Sequence, residues 1–207
     1  MTTTFARLRD DDSGATIVEF AMVAPVLILI LLAGFDFGHR AYVTSVLQGA
    51  LTDAARQASV ENPNISGTGD TLEERVEDAI RSQVGSIATS GFVLDVTQSN
   101  FYDFTGIGNP ERILRDNDSD GTYDADDGDC FADLNQNGEY DTDTGRDGIG
   151  GANDVVFYEA TLEMDAIVPL ANLIGGTSRH TILVETAVRN QPWGTQATPP
   201  TICGEVA

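Results

Sequence analysis

The stretch that decides the architecture is Ala15-Thr-Ile-Val-Glu-Phe-Ala-Met-Val-Ala-Pro-Val-Leu-Ile-Leu-Ile-Leu-Leu-Ala-Gly-Phe35, 21 residues with a single charge at Glu19. At a helical rise of about 1.5 Å per residue it spans the roughly 30 Å of a bilayer's hydrocarbon core. Arg7 and Arg9 precede it, and positive residues stay on the cytoplasmic side. Asp10, Asp11 and Asp12 weaken that signal little, because acidic side chains count for little in the rule. The expectation is a cytoplasmic segment 1–14, a single membrane-spanning helix 15–35 and an exported remainder. A cleaved secretory signal peptide fits less well, since the apolar run is long and Glu19 interrupts its start.

Helical periodicity continues past the membrane. Val43, Val46, Leu47, Ala50, Leu51, Ala54 and Ala58 recur at spacings of three and four, the pattern of an amphipathic helix with small residues on its inner face. The spacing predicts a helix continuing through 36–62 and stopped by Asn62-Pro63-Asn64; two helices hinged at Gly34 or Gly38 are the alternative. A second helix is expected to start at Asp70, with Glu73 completing its capping box, and to present Leu72, Val76, Ala79, Ile80 and Val84 on one face. Phe92, Leu94 and Val96 alternate with polar residues, as do Val156, Tyr158, Ala160, Leu162, Met164 and Ala166 further on. A third strand, Thr181 to Arg189, follows the Gly175-Gly176 turn, which favours an antiparallel pair. The fold class is therefore α+β: a long transmembrane and amphipathic helix, a second helix, and a small antiparallel sheet in an exported domain 63–207.

Charge narrows the function. With 33 acidic against 11 basic residues the net charge is −22, which repels a phosphate backbone and excludes nucleic-acid binding. The acid is concentrated in an insertion, 116–154, with twelve Asp and one Glu against Arg146 alone. Within it, Asp116, Asp118, Asp120, Gly121, Thr122, Asp124 and Asp127 occupy positions 1, 3, 5, 6, 7, 9 and 12 of the calcium-loop template, Thr122 by its carbonyl. Alternate carboxylates around a glycine turn suit a hard cation that takes six to eight oxygens. A poorer copy follows in Asp133, Asn135, Asn137, Gly138, Glu139 (by its carbonyl) and Asp141; its position 12 is Thr144, so the closing carboxylate is missing unless Asp143 substitutes. The first loop has no helical periodicity on either side, and a solvated acidic segment without an ion is the competing reading. Cys130 and Cys203 would stay reduced in the cytosol and read as one disulfide in an exported domain.

Glu19 has a separate interest. An isolated carboxylate inside an apolar helix is costly, so it either reaches the interface, is protonated, or meets a cation. Cleavage after Gly14 would create one, the α-amino group of Ala15, one helical turn away. The sequence Gly14-Ala-Thr-Ile-Val-Glu-Phe20, between a polar leader and an apolar helix, resembles the processing site of type IV prepilins, Gly-x4-Glu-Phe. Pro25 is similar to the helix-loosening proline of pilins. That resemblance implies cleavage between Gly14 and Ala15 by a membrane prepilin peptidase, with Glu19 pairing with the amine of a neighbouring subunit; Phe20 belongs to the same motif. Ser13 to Ala21, Phe35-Asp-Phe-Gly-His-Arg-Ala-Tyr42 and Ala54-Ala-Arg56 resemble TadE/TadG-like pseudopilins of the tight-adherence system, with weaker likeness in Asp133–Gly138, Gly148–Val155 and Arg189–Trp193. The resemblance implies a minor pseudopilin of a Flp-type pilus in a bacterial inner membrane, with its domain in the periplasm. Its partners would be other pilins and the inner-membrane assembly platform.

An enzyme is not expected. His39 and His180 lie in different regions, the cysteines lack metal-site spacing, and Gly148-Ile-Gly-Gly-Ala152 has no strand-to-helix context for a nucleotide loop. Two classes of function remain, a pilus-assembly subunit and an uncleaved, membrane-anchored calcium-binding surface or adhesion module.

Overall fold

The structure, a computed structural model, describes residues 13–205; the leader with Arg7 and Arg9 lies outside the described residues. One uninterrupted helix, α1 (Ser13–Ala58), runs through both the apolar segment and the amphipathic one, so there is no hinge at Gly34 or Gly38. Its 46 residues make it about 70 Å long. Pro25 lies inside it without ending it. Environment divides the helix in two. From Thr16 to Tyr42 no side chain is buried. From Val43 onward Leu47, Ala50, Leu51, Ala54, Ala55 and Ala58 are sealed in the core.

The second helix, α2 (Leu72–Val84), begins one residue later than the sequence pattern implies. Thr71 is the N-cap: its hydroxyl accepts from Glu74 N (3.1 Å) while Glu74 Oε2 accepts from Thr71 N (3.3 Å). The capping box is thus Thr71–Glu74, not Asp70–Glu73. Glu74, not Glu73, reaches back over the helix start, its Oε2 accepting from Asp70 N (2.7 Å) as well as Thr71 N, which sets Thr71 as the cap. Val76, Ile80 and Val84 are fully buried against α1, with Leu72 and Ala79 partly so.

The strands are β1 (Val93–Phe101), β2 (Arg112–Arg115), β3 (Cys130–Ala132), β4 (Arg146–Asp147), β5 (Val155–Asp165), β6 (Arg179–Arg189) and β7 (Thr201–Cys203). They form two antiparallel sheets, ordered β4-β1-β5-β6 and β2-β3-β7. β5 and β6 pair over their whole length, Val155 opposite Arg189 to Asp165 opposite Arg179. The period-two alternation then puts Val156, Tyr158, Ala160, Leu162 and Met164 on one face with Ile182 and Val184, under α1 and α2.

The stem helix also covers the open edge of this sheet. Arg40 Nη2 donates to Thr181 O (3.4 Å) and Gln48 Nε2 to Glu185 O (3.1 Å). Eight helical residues advance about 12 Å and four strand residues about 13 Å, so α1 and β6 keep step. An edge strand that would otherwise offer free carbonyls is capped by side chains from the stem.

Two of the weak likenesses downstream, Gly148–Val155 and Arg189–Trp193, converge in space. Asn100 Nδ2 reaches the carbonyls of Arg146, Asp147 and Gly148, and Asn190 Nδ2 those of Ile149 and Gly151. Asp154 accepts from Gly151 N and Gln196 Nε2, and Gln191 N donates to Ser59 O at the end of α1. Gly148–Asp154 is therefore a structural loop held by buried amides.

Candidate functional site: the stem and the paired acidic loops

The residues that resemble a prepilin processing site lie at the start of α1, so Gly14, Ala15, Glu19 and Phe20 are all helical. Ala15 and Glu19 are four residues apart, about one helical turn. Glu19 and Phe20 are exposed, as are Ile17, Met22, Leu29 and Ile30. None of this apolar stretch is buried, and the helix is long and apolar enough to cross a membrane. Exposed apolar surface on this scale is rare on a water-soluble monomer; the helix fits a single-pass membrane protein.

Where the apolar run ends, the stem is clamped to the head. Asp36 Oδ1 accepts from Ile167 N (2.9 Å) and Val168 N (3.5 Å), and its Oδ2 accepts from His180 Nε2 (2.9 Å). One turn on, His39 Nε2 donates to Ile87 O (2.9 Å). Both histidines thus fix the head to the stem. Sequence reasoning missed Asp36 because its partners are more than 130 residues away.

The acidic insertion divides: 116–141 forms two loops beside the small sheet, while 146–154 supplies β4 and its following loop to the large one. Asp116, Asp118 and Asp120 bring carboxylate oxygens within 4.8 Å of one another. The two loops repeat one frame. The first-position carboxylate accepts the sixth-position amide in each, Asp116 Oδ2 from Gly121 N (2.9 Å) and Asp133 Oδ2 from Gly138 N (3.0 Å). The fourth and sixth residues have positive φ in both: Ser119 62° and Gly121 82°, Gln136 61° and Gly138 88°. In each, one buried carboxylate outside the template accepts the second- and ninth-position amides. Asp129 accepts from Asn117 N (2.9 Å) and Asp124 N (3.0 Å); Glu111 accepts from Leu134 N (2.6 Å) and Asp141 N (3.2 Å). Tyr123 and Tyr140, both in eighth position, stack at 4.6 Å, and each meets Phe131 edge-on. The loops are a pair built around β3.

The closing residues of the second loop differ from expectation. Thr144 is buried and donates to Gly106 O, and Asp143 accepts from its neighbour Gly145 N. Neither completes the template. The carboxylate that knits the loop is Glu111, 22 residues before Asp133 in the chain; no periodic signal could have found it.

Electrostatics in the loops are tense. Asp124 presses on Asp127 and, with desolvation and the charges of Asp129, Asp120 and Asp126, raises its carboxyl above the usual range. At Asp118 the Asp120 amide pulls the other way, but desolvation and the carboxylates of Asp120, Asp116 and Asp127 prevail and raise it. Asp116 goes down, held by the Gly121 amide against desolvation. Burial raises Glu111 despite the Leu134 and Asp141 amides. Cys130 and Cys203, register partners on β3 and β7, are joined by a disulfide that closes the unit.

These features define a class: an α+β head on a long stem whose first half is shaped for lipid. Residues 14–56, which lie within α1, match the model of the TadE-like protein family. The family resemblance read from the sequence therefore rests on the stem, and the match includes no residue of either sheet or of the acidic loops. No characterised protein and no solved structure matches the chain.

Proposed function

We propose that this chain is a minor pseudopilin, a membrane-anchored assembly subunit of a tight-adherence, Flp-type pilus. Its N-terminus faces the cytoplasm, its head faces the periplasm, and a prepilin peptidase cuts it after Gly14. The observation that carries this reading is the undivided α1: one helix offers lipid or sister stems an apolar half and holds the head with the other, and the TadE-like match coincides with it. Glu19, exposed one turn from Ala15, then pairs with a mature amine during assembly, and the stem meets other pilins and the membrane platform. The reading is one of assembly, not catalysis. The His180–Asp36 pair is spent on the junction, and the Ser178 hydroxyl two residues away donates to Asn172 Oδ1 rather than to the imidazole. The test is the mature N-terminal residue of protein from membranes containing the peptidase, read with piliation of Glu19→Ala. A chain beginning at Ala15 and loss of piliation support the proposal; a chain retaining its leader sinks it.

The acidic pair supports a second component, structural calcium. The two loops share one frame and are paired through equivalent tyrosines, and the first converges carboxylates that repel one another. A divalent cation removes that repulsion, and the millimolar class of extracellular modules is the affinity expected. Thermal unfolding of the full chain in detergent with calcium or chelator measures it; identical curves in both would remove the ion from the reading.

A further inference from the structure

The connection between β5 and β6 runs Ala166-Ile-Val-Pro-Leu-Ala-Asn-Leu-Ile-Gly-Gly-Thr-Ser178, thirteen residues without a charge in a chain of net charge −22. It contains a short 3-10 helix, Leu170–Ile174. Its position along the stem is set by two observations. Asp36, one residue beyond the apolar run, holds the amides of Ile167 and Val168. A cleft is lined by Ala33, Asp36 and Phe37 of the stem together with Val168, Leu170 and Ala171 of the connection. Ala33 belongs to the apolar run itself, so the connection folds back to the depth of the last membrane turn. Ile167 is 40% exposed there, beside Phe35 at 60% and Phe37 at 73%.

The local charge is also partly offset. Asp36 is met by His180 and two amides, and Glu163 and Asp165 by Arg179. Arg40 lies one turn above Asp36, lining the same cleft. An acidic head meeting an anionic bilayer would be repelled; this end offers an uncharged apolar segment bordered by Arg40 and Arg179, with Asp165 and Glu163 drawn to Arg179, a composition suited to the interface.

We propose that the 166–178 connection is a second membrane contact, lying in the outer interface of the bilayer that α1 spans and fixing the tilt of the head. The occupant is phospholipid. Continuity with the spanning helix argues for it, because any element hydrogen-bonded at Asp36 meets headgroups before it meets another subunit. The inference rests on the membrane-spanning reading of α1, and the test separates the two.

Since both native cysteines are bonded to each other, an introduced cysteine can be labelled selectively. Full-length Leu170→Cys and Ile167→Cys would carry a fluorophore in nanodiscs containing lipids with a nitroxide near the headgroup. Leu29→Cys is the membrane control. Thr195→Cys is the distal control, close to Gln191, which bonds Ser59 at the far end of the stem. Insertion into the headgroup and upper acyl region predicts quenching at 170 and 167 at least about twofold above that at 195. Quenching at 29 but only background at 170 and 167 overturns the proposal and leaves the span intact. Shielding at 170 that is unquenched and depends on protein-to-lipid ratio means a neighbouring copy covers the loop, and also overturns it. No quenching at 29 overturns the spanning reading and this inference with it. Variants are compared at matched thermal unfolding; if Leu170→Cys does not fold, Ile167→Cys decides.

Discussion

Replacing Cys130 and Cys203 with serine removes a bridge spanning 73 residues of sequence. On the chain-entropy account a loop of that length stabilises by about 4 kcal/mol at 25 °C. The strand it secures is weak by itself. β7 is three residues long, all exposed or half-buried, and faces β3 through three register pairs. Ordering its backbone costs about 1–2 kcal/mol per residue, while each hydrogen bond returns about 1 kcal/mol net. Without the bridge the balance is near zero and β7 should detach. The main core does not follow, because none of its buried residues comes from β2, β3 or β7. Hydrogen exchange of the double serine variant should therefore lose up to about 10³-fold protection, the equivalent of 4 kcal/mol, in peptides covering 112–134 and 198–205. Peptides from β5 and β6 should hold their rates. Unchanged protection in the small sheet, or equal loss in both sheets, refutes the argument.

Leu51→Ala should cost about 3–5 kcal/mol in urea unfolding, since Leu51 is fully enclosed between the stem, α2 and the sheet; Leu29→Ala, exposed on the apolar half, should leave head stability unchanged. Gly138→Ala should destabilise the second loop by about 1–2 kcal/mol, because its φ of 88° lies in the left-handed region that a Cβ disfavours; exchange in 133–141 reads it. Asp127→Asn should raise the melting temperature of calcium-free protein at neutral pH while abolishing any rise on adding calcium. The sign follows from Asp124 and its neighbours raising the Asp127 carboxyl above 3.8. An acid raised in the fold costs stability while ionised, and that cost fades as pH falls through the raised value, so the variant's advantage should disappear towards pH 3.8. Asp78 has the opposite sign. The Thr68 amide and hydroxyl hold it below 3.8, so the loss caused by Asp78→Asn should be full at neutral pH and vanish as pH falls through that lowered value.

The long helix and the β5–β6 pair were legible because each obeys one period over many residues. Val43 to Ala58 repeats at three and four, and Val156 to Met164 alternates without a break. β2, β3, β4 and β7 were not. They are two to four residues long, too short for any period to register, and β3 is set by Phe131 beneath two tyrosines from separate loops. The second sheet went unseen for that reason. The loop templates were readable from Asp and Gly spacing; the carboxylates that brace them were not. Asp129 follows its template by two residues and Glu111 precedes its own by 22, so they answer to the tertiary fold and not to the motif.

The separation into two units has a physical logic. Twelve aspartates near one another would strain any core they were packed into, since charge taken from water must be paired or repelled. Here most of the acid, Asp116 to Asp141, is held off the main core beside a three-stranded sheet, tied by Asp129 and Glu111 within, by aromatic stacking between loops and by a disulfide at the base; Asp154, which does reach the main sheet, is paired with Arg146. The stem is fixed elsewhere, through Leu47, Leu51 and the Asp36–His180 clamp. A cation entering the loops can therefore change their order without moving the stem. It follows that replacing Asp116, Asp118 and Asp120 by asparagine should leave membrane insertion and the mature N-terminus unaltered. If piliation fails in that variant while both are intact, the head's acidic face is what assembly reads, and the stem alone does not suffice.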